Sequence, residues 1–243
     1  MSPLSQDGRQ QLVQNIFNRI AARYDFLNRV ISFHLDTFWR KKAIRTLALG
    51  GRRAVVLDLG SGTGDLALTA AKEIPEAKIV GLDFSLEMLR FAQKKKRRAA
   101  AGDRTFFVLG SALEPPFKEE TFDAVMTAFV LRNITDLNLF FRHAYRLLRP
   151  GGKIVSLDMF PPSRLPFSFF YSFYFYRMVP WIGTVLAHDR GAYQYLSDSV
   201  KSFNPPETIA ELIRQTGFKE IKIQKFMSGA VCLHLGEKPR IPR

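Results

Sequence analysis

The apolar positions change their period twice along the chain. From about Gln10 to Leu49 they recur every three to four residues, with interruptions near Tyr24-Asp25 and around Ser32 to Asp36. That spacing predicts two or three short helices. Beyond it, β-rich runs alternate with helical ones. Ala54 to Leu59 is a short apolar run followed by glycine, as a buried strand should be. Asp65 to Glu73 reads as a helix stopped before Pro75, Lys78 to Asp83 as a second strand, and Ser85 to Arg98 as a helix that Ser85 can cap. Thr105 to Leu109, Phe122 to Thr127 and Lys153 to Leu157 supply three more strands, and Asp136 to Leu148 a helix ending at Pro150-Gly151-Gly152. The tail predicts a helix over Glu207 to Thr216, stopped by Gly217. Two strands follow, Lys219 to Phe226 and Ala230 to Leu235, close enough to pair as a hairpin.

Strands alternating with helices imply right-handed βαβ units. The expected fold is therefore α/β: a mostly parallel sheet with helices on both faces, an antiparallel C-terminal hairpin and an N-terminal helical cap. The length of 243 residues suits one domain. Within it we distinguish a helical cap (1–50), a ligand-binding core (51–158), an aromatic insertion (159–204) and a C-terminal helix with hairpin (205–243).

Charge changes the picture. Lys and Arg number 36 against 22 Asp and Glu, a net charge of +14. Such a surface is drawn to polyanions, either nucleic acid or an anionic bilayer. One cysteine, Cys232, excludes a disulfide framework and any multi-cysteine metal or iron–sulfur site, and no pair of histidines has metal-ligand spacing. No metal is expected. No stretch supplies the roughly 18–20 uncharged apolar residues of a spanning helix, and Met1 to Gln14 lacks an apolar signal segment. A cytosolic protein is the default expectation.

The most informative stretch is Asp58-Leu59-Gly60-Ser61-Gly62-Thr63-Gly64-Asp65, between the first strand and a helix. In an open parallel sheet, ligands bind where crossovers diverge at the carboxyl ends of strands. Gly60, Gly62 and Thr63 would let a ligand approach the backbone there. Asp83, ending the second strand, suits ribose hydroxyls. A dinucleotide fingerprint reads G-x-G-x-x-G, whereas the spacing here is G-x-G-x-G. Asp58 and Asp65 would repel a pyrophosphate at the helix N-terminus. S-adenosylmethionine has no phosphate, and its sulfonium and ammonium are cations that both carboxylates favour. It is the expected cofactor.

Past the third strand, Gly110-Ser111-Ala112 resembles the adenine-lining turn of class I methyltransferases, whose Rossmann-like core this one resembles; Ser111 could equally be a helix cap. The resemblance then extends from about Val13 to the end of the chain. Tyr24-Asp25-Phe26-Leu27-Asn28, Ser32 with Trp39-Arg40, Leu131-Arg132-Asn133, and Tyr193-Gln194-Tyr195-Leu196 with Ser199 and Phe203 are similar, in order, to the ubiquinone/menaquinone biosynthesis C-methyltransferase family. That resemblance implies methyl transfer from S-adenosylmethionine to a ring carbon of a polyprenylated quinol. The naphthoquinol of menaquinone is favoured, with the benzoquinol of ubiquinone as the alternative. Departures occur at Val130, where the family usually has glycine, at Ala128, beside the cofactor, where it often has a small or hydroxyl residue, at Leu157-Asp158-Met159-Phe160 in place of Leu-Glu-Phe-Ser, and at Asn204, which splits a phenylalanine-proline pair. They are expected on the substrate side of the sheet.

Ring methylation needs a phenolate-like nucleophile and then loss of the ring proton. The candidate catalytic residues are Arg132, to stabilise a phenolate or position water, and Asn133, to hydrogen-bond a ring oxygen. Tyr24 and Asp25 join them from the cap; a surface ion pair for Arg132 and a helix break at Asp25 are the plain alternatives. Between Arg164 and Arg177 lie twelve uncharged residues, eight of them aromatic. They read either as a buried helix or as an aromatic entry resting on a bilayer interface. The expected partners are thus a quinol and the anionic inner face of the membrane, without nucleic acid and with an optional second copy. An RNA methyltransferase and a non-catalytic assembly partner are the competing classes. Isolated aromatics, rather than aromatics interleaved with basic residues, argue against RNA.

Overall fold

In the computed structural model, residues 6–51, 53–162, 171, 173–181, 184 and 189–240 are described. The strands are β1 (Val55–Leu59), β2 (Lys78–Asp83), β3 (Thr105–Leu109), β4 (Phe122–Ala128), β5 (Leu148–Met159), β6 (Lys219–Phe226) and β7 (Val231–Glu237). They form one sheet in the order β3-β2-β1-β4-β5-β7-β6. The first five are parallel, and β7 lies antiparallel between β5 and β6. β1 therefore has β2 on one side and β4 on the other. Crossovers leave it in opposite directions, and the crevice opens at its carboxyl end.

The helices are α1 (Gln6–Ile31), α2 (Leu35–Thr46), α3 (Asp65–Glu73), α4 (Leu86–Arg98), α5 (Leu137–Leu147), α6 (Arg190–Lys201) and α7 (Pro206–Gln215). Ser85 caps α4, its Oγ accepting from the Met88 amide at 3.1 Å, and Asp136 caps α5 through the Leu139 amide at 2.8 Å. Residues alternate between faces along each strand. Val56, Ile79, Met126 and Val155 pack under α2 and α3 through Trp39, Ile44, Ala67 and Ile74. Leu57, Val125 and Ile154 face α5 and α7 through Phe140, Phe141, Ile209 and Ile213. A third cluster joins α1 (Ile16, Ile20, Leu27, Ile31) to Tyr171, Phe175, Tyr193 and Val200. Of the two N-terminal helices, α2 is thus built into a sheet face, and α1 lies over the crevice.

Two local expectations are corrected. The chain does not break at Tyr24-Asp25: α1 runs for 26 residues, because Tyr24 packs edge-on against Phe17 at 5.9 Å and Asp25 is held by Thr63 and Lys95. β5 starts at Leu148 rather than Lys153. The Gly151 amide donates to the Lys238 carbonyl at 2.8 Å, and the Lys238 amide to that of Gly152 at 2.8 Å, which draws the Pro-Gly-Gly turn into the sheet. The aromatic segment is divided. Tyr171 and Phe175 are core residues, whereas Phe173 is 61% and Trp181 65% exposed; Phe167, Phe169 and Phe170 lie outside the described residues.

Phe218 closes the core where the hairpin begins, fully buried and edge-on to Tyr145 at 5.0 Å. Phe218→Ala should lower unfolding free energy by about 3–5 kcal/mol in a denaturant titration. A loss below about 1 kcal/mol would mean that this end of the sheet is not packed as described.

Candidate active site

The loop after β1 is folded back onto β2 by two amides: Gly60 and Ser61 both donate to the Leu82 carbonyl, at 2.8 and 3.0 Å. Gly60 and Gly64 adopt φ of 77° and 83°. A Cβ on Gly60 would come within 2.6 Å of Val130 Cγ2, and one on Gly64 within 2.7 Å of Phe107 Cζ. Only glycine suits both positions. The resulting cleft is lined by Asp58, Gly60, Gly62, Thr63, Asp65, Asp83, Ser111 and Ala112, so the eight residues read from sequence as cofactor-binding stand around one space. α1 roofs it with Val13, Phe17 and Tyr24. Gln14 Nε2 donates to the Phe84 carbonyl at 2.6 Å, and Ser85 Oγ to Asn18 Oδ1 at 2.6 Å. Ser111 Oγ accepts from the Leu113 amide at 3.1 Å and so shapes a turn, not a helix cap.

The carboxylates there are not equivalent. Alternation puts Asp58 on the face of Val56, beneath α2. It is buried, and neither oxygen has a well-formed hydrogen bond. Burial pushes its carboxyl up to about 8, although Arg40 and the nearby Ala67 amide pull the other way. Asp65 is only partly buried, and the charges of Arg40, Lys95 and Arg29 outweigh that burial and hold it down at about 2. It pairs with Arg29 at 2.6 Å and with Lys95. Of the two carboxylates expected to meet a cation, Asp58 is free to do so and Asp65 is already neutralised. Asp83 is also buried, not the exposed strand-end carboxylate its position suggests. It accepts from the Gly62 amide at 2.7 Å and the Ser85 amide at 2.9 Å, and burial lifts it to about 6 against those bonds. Each of its oxygens keeps capacity for a ribose hydroxyl.

Asp25 is turned towards this loop and away from any ring-binding position. Its oxygens accept from Thr63 Oγ1 at 2.5 Å and Lys95 Nζ at 2.7 Å, which clamps α1 over the glycine turn. Val130 and Ala128 line the cofactor cleft as well; Ala128 is thus on the side expected of it, whereas Val130 leans on Gly60 instead of facing the substrate side.

A second cavity, largely apolar, lies beyond Tyr24 and Phe129, which line both spaces. Its walls include Ile31, Trp39, Met159, Tyr174 and Phe175. Arg132 enters it from the turn Leu131–Asn133 after β4, buried and donating to Asp158 Oδ1 at 2.7 Å. It is no surface ion pair. Burial disfavours its charge, but Asp158, together with Tyr24 and Tyr195, more than restores it, so the guanidinium stays protonated. Its Nε and Asp158 Oδ2 have no hydrogen-bond partner. Burial also raises the Tyr24 hydroxyl, with Arg132 and Arg40 opposing. Asn133 lines the cofactor cleft; its Oδ1 accepts from the Tyr195 hydroxyl at 3.1 Å, and its Nδ2 donates only a long bond to the Phe129 carbonyl at 3.5 Å, which leaves donor capacity for a ring oxygen. The residues that sequence reading missed are Arg40, Asp158, Arg29 and Lys95. Arg40 stood in the Trp39-Arg40 patch and Asp158 among the departures at the end of β5, neither with a partner to give it a role, and Lys95 lies in the basic run Lys94 to Arg98 that closes α4.

The cleft fits S-adenosylmethionine on its own chemistry: an orphaned buried carboxylate for a cation and a carboxylate at the end of β2 for ribose. Comparison with known proteins agrees. The model of the ubiE/COQ5 methyltransferase family matches residues 5–238. A demethylmenaquinone methyltransferase from Thermus thermophilus is 39% identical over 224 residues, 92% of this chain and 100% of that one. A ubiquinone/menaquinone biosynthesis C-methyltransferase UbiE from Desulfotalea psychrophila is 37% identical over 93% of this chain and 90% of its own. Among solved structures, a possible histamine N-methyltransferase from Thermotoga maritima shares the fold, with a TM-score of 0.64, 21% identity, and coverage of 92% of this chain and 98% of that one. The chain belongs to the ubiE/COQ5 family of S-adenosylmethionine-dependent methyltransferases.

Proposed function

We propose that this methyltransferase methylates a ring carbon of a polyprenylated demethyl naphthoquinol, in the manner of the demethylmenaquinone methyltransferases it resembles. The observation that carries the reading is a buried arginine, Arg132, held by Asp158 at the wall of a largely apolar cavity that meets the cofactor cleft at Tyr24 and Phe129. When bound, the cofactor supplies an electrophilic methyl group. The protein's part is to make the ring nucleophilic and hold it dry. A quinol hydroxyl that gives up its proton becomes a phenolate, and Arg132, kept charged by Asp158, stabilises that anion in a low-dielectric site. A C–C bond then forms at the ring carbon, its C–H bond breaks, and the proton leaves as aromaticity returns. Tyr24 closes the passage between the two spaces, and Asn133 with Tyr195 buttresses the cofactor side.

The quinol's prenyl chain supports a bilayer as the partner surface. Phe33 and Met227 line the second cavity yet are 67% and 38% exposed, and both have left-handed backbone, with φ of 52° and 47°. Phe38, Phe173 and Trp181 add exposed apolar area. A net charge of +14 favours the anionic leaflet facing the cytoplasm. No helix among the described residues is long and apolar enough to cross a membrane. Peripheral binding at the cytoplasmic face is the localisation we infer.

Three outcomes are expected. At pH 7 most of Asp58 is protonated, because its carboxyl sits near 8; a cationic ligand draws it ionised. Binding should therefore release roughly one proton, read by calorimetry in buffers of different ionisation enthalpy, and Asp58→Asn should abolish the release. Binding without proton release would sink that role. Arg132→Ala would strand Asp158 in the core at a cost of about 3–5 kcal/mol, so Arg132→Lys is the cleaner variant. It should cut turnover of demethylnaphthoquinol at least about tenfold with cofactor affinity within about twofold. Lost cofactor affinity with normal turnover at saturation would contradict the assignment. Finally, the protein should sediment with anionic vesicles more than with neutral ones. Replacing Phe33, Phe38 and Phe173 together by serine should remove the part of binding that survives high salt. A folded triple variant that still binds in high salt would return these side chains to a structural role.

A further inference from the structure

Asp158 holds Arg132 with one oxygen only. Its Oδ1 accepts from Arg132 at 2.7 Å and from the Met159 amide at 2.8 Å, while its Oδ2 is buried without a hydrogen-bond partner. Two further orphans lie beside it. Ser156 stands two residues before Asp158, so both point to the sheet face of Ile154, under α5 and α7. The ladder places His234 of β7 directly opposite Ser156, and Cys232 opposite Asp158. Along the strand the two β5 positions are about 6.6–6.8 Å apart, and about 4.5–5.5 Å separates the paired Cα atoms across the ladder. Ser156, Asp158 and His234 are at most 1% exposed, and Ser156 Oγ and His234 Nδ1 also lack a hydrogen-bond partner. Unsatisfied polar atoms so deeply buried are costly, and three of them adjoin the residue that keeps Arg132 charged.

Their donor and acceptor roles follow from their partners. His234 Nε2 lies 2.9 Å from the Pro206 carbonyl, which can only accept, so Nε2 carries the ring hydrogen. Burial pushes the imidazole down to about 4, against that bond. At neutral pH the ring is therefore uncharged, and Nδ1 is an acceptor. Asp158 Oδ2 is an acceptor as well, and Ser156 brings one hydroxyl hydrogen for the two. The groups next to it are committed elsewhere: Thr127, its partner on β4, donates to the Leu59 carbonyl at 2.8 Å, and the Cys232 thiol to the Gly229 carbonyl at 3.4 Å. Arg132 Nε is itself without a partner and so does not serve Oδ2. One water molecule balances the set. It gives a hydrogen to each acceptor and takes the one from Ser156, three bonds in all, the number an enclosed water ordinarily makes. We propose that an enclosed water joins Asp158, Ser156 and His234, and that Ser156 and His234 are thereby positioning residues for methyl transfer. They fix the Asp158 carboxylate, and the carboxylate fixes the plane of the Arg132 guanidinium at the quinol cavity. The positioning rests on the role given to Arg132 above; the water and the histidine tautomer do not.

Nuclear magnetic resonance of protein carrying nitrogen-labelled histidine tests the chain itself. The His234 signals, assigned by their loss in His234→Gln, should show the neutral Nε2–H tautomer with Nδ1 accepting a hydrogen bond, and Ser156→Ala should shift the Nδ1 resonance. An Nδ1–H tautomer, or an Nδ1 without a hydrogen bond, would overturn the chain whatever ring is methylated. Turnover of demethylnaphthoquinol tests its purpose. Ser156→Ala should lower kcat about tenfold with cofactor affinity within about twofold. The same change made in Arg132→Lys should cost less than about twofold more, because the planar fork that Ser156 helps to align is already gone. Equal losses in both backgrounds would mark a structural role and overturn the positioning. Normal turnover by Arg132→Lys would overturn it too, by removing the role it rests on, and the histidine spectrum tells the two failures apart. If Ser156→Ala does not fold, the native protein decides: a nuclear Overhauser effect from water to the His234 ring is expected, and its absence would contradict the enclosed water.

Discussion

Asp58 is taken out of water at the carboxyl end of the central strand without a well-formed hydrogen bond to either oxygen. Burial of an ionised group costs on the order of several kcal/mol, and a fold keeps such a group only where a counter-ion arrives or a proton neutralises it. The surrounding structure follows from that one residue. Strand alternation points it under α2, the glycine turn leaves room above it, and α1 roofs the space from the other side. Asp65, a few residues on, is occupied by Arg29 and Lys95. The division of labour between two nearby carboxylates is set by their partners: one locks the lid to the loop, and the other waits for ligand.

The same logic separates the two spaces that meet at Tyr24 and Phe129. The cofactor cleft carries charges of both signs, Arg40 among Asp58, Asp65 and Asp83. The second cavity is largely apolar; among the described residues of its wall Arg132 and Asp36 are the charged ones, and Asp158 holds Arg132 from behind it. An apolar ring that must become an anion for an instant is best served by that combination: low dielectric to strengthen the field, and a cation whose protonation is secured from behind. The exposed Phe33 and Met227 carry the apolar lining outward to solvent, continuous with the path a prenyl tail would need.

Much of this was legible in the chain because it depends on local spacing. The short β-rich runs, the turn residues and the cap at Ser85 specify the sheet, and the glycine spacing with Asp58 and Asp83 specifies the cleft. What escaped sequence reading is tertiary. Tyr24-Asp25 reads as a helix break because its anchors, Thr63 and Lys95, are distant in sequence. Asp158 reads as a departure at a strand end, and its meaning depends on Arg132, on another strand's turn. Val130 was expected beside the substrate, yet it packs on Gly60 in the cofactor cleft. Arg40 sits in an amphipathic helix where an arginine ordinarily faces water; only the stacking of α2 on the sheet buries it.

The most direct measurement is methyl transfer itself. Purified protein is incubated with methyl-deuterated S-adenosylmethionine and, in parallel, with the demethyl naphthoquinol and the demethyl benzoquinol, and the products are read by mass. The structure and its family predict the labelled methyl on the naphthoquinol ring. Label on the benzoquinol alone would contradict the ring assignment, and label on neither, in protein that binds the cofactor, would contradict quinol methylation altogether.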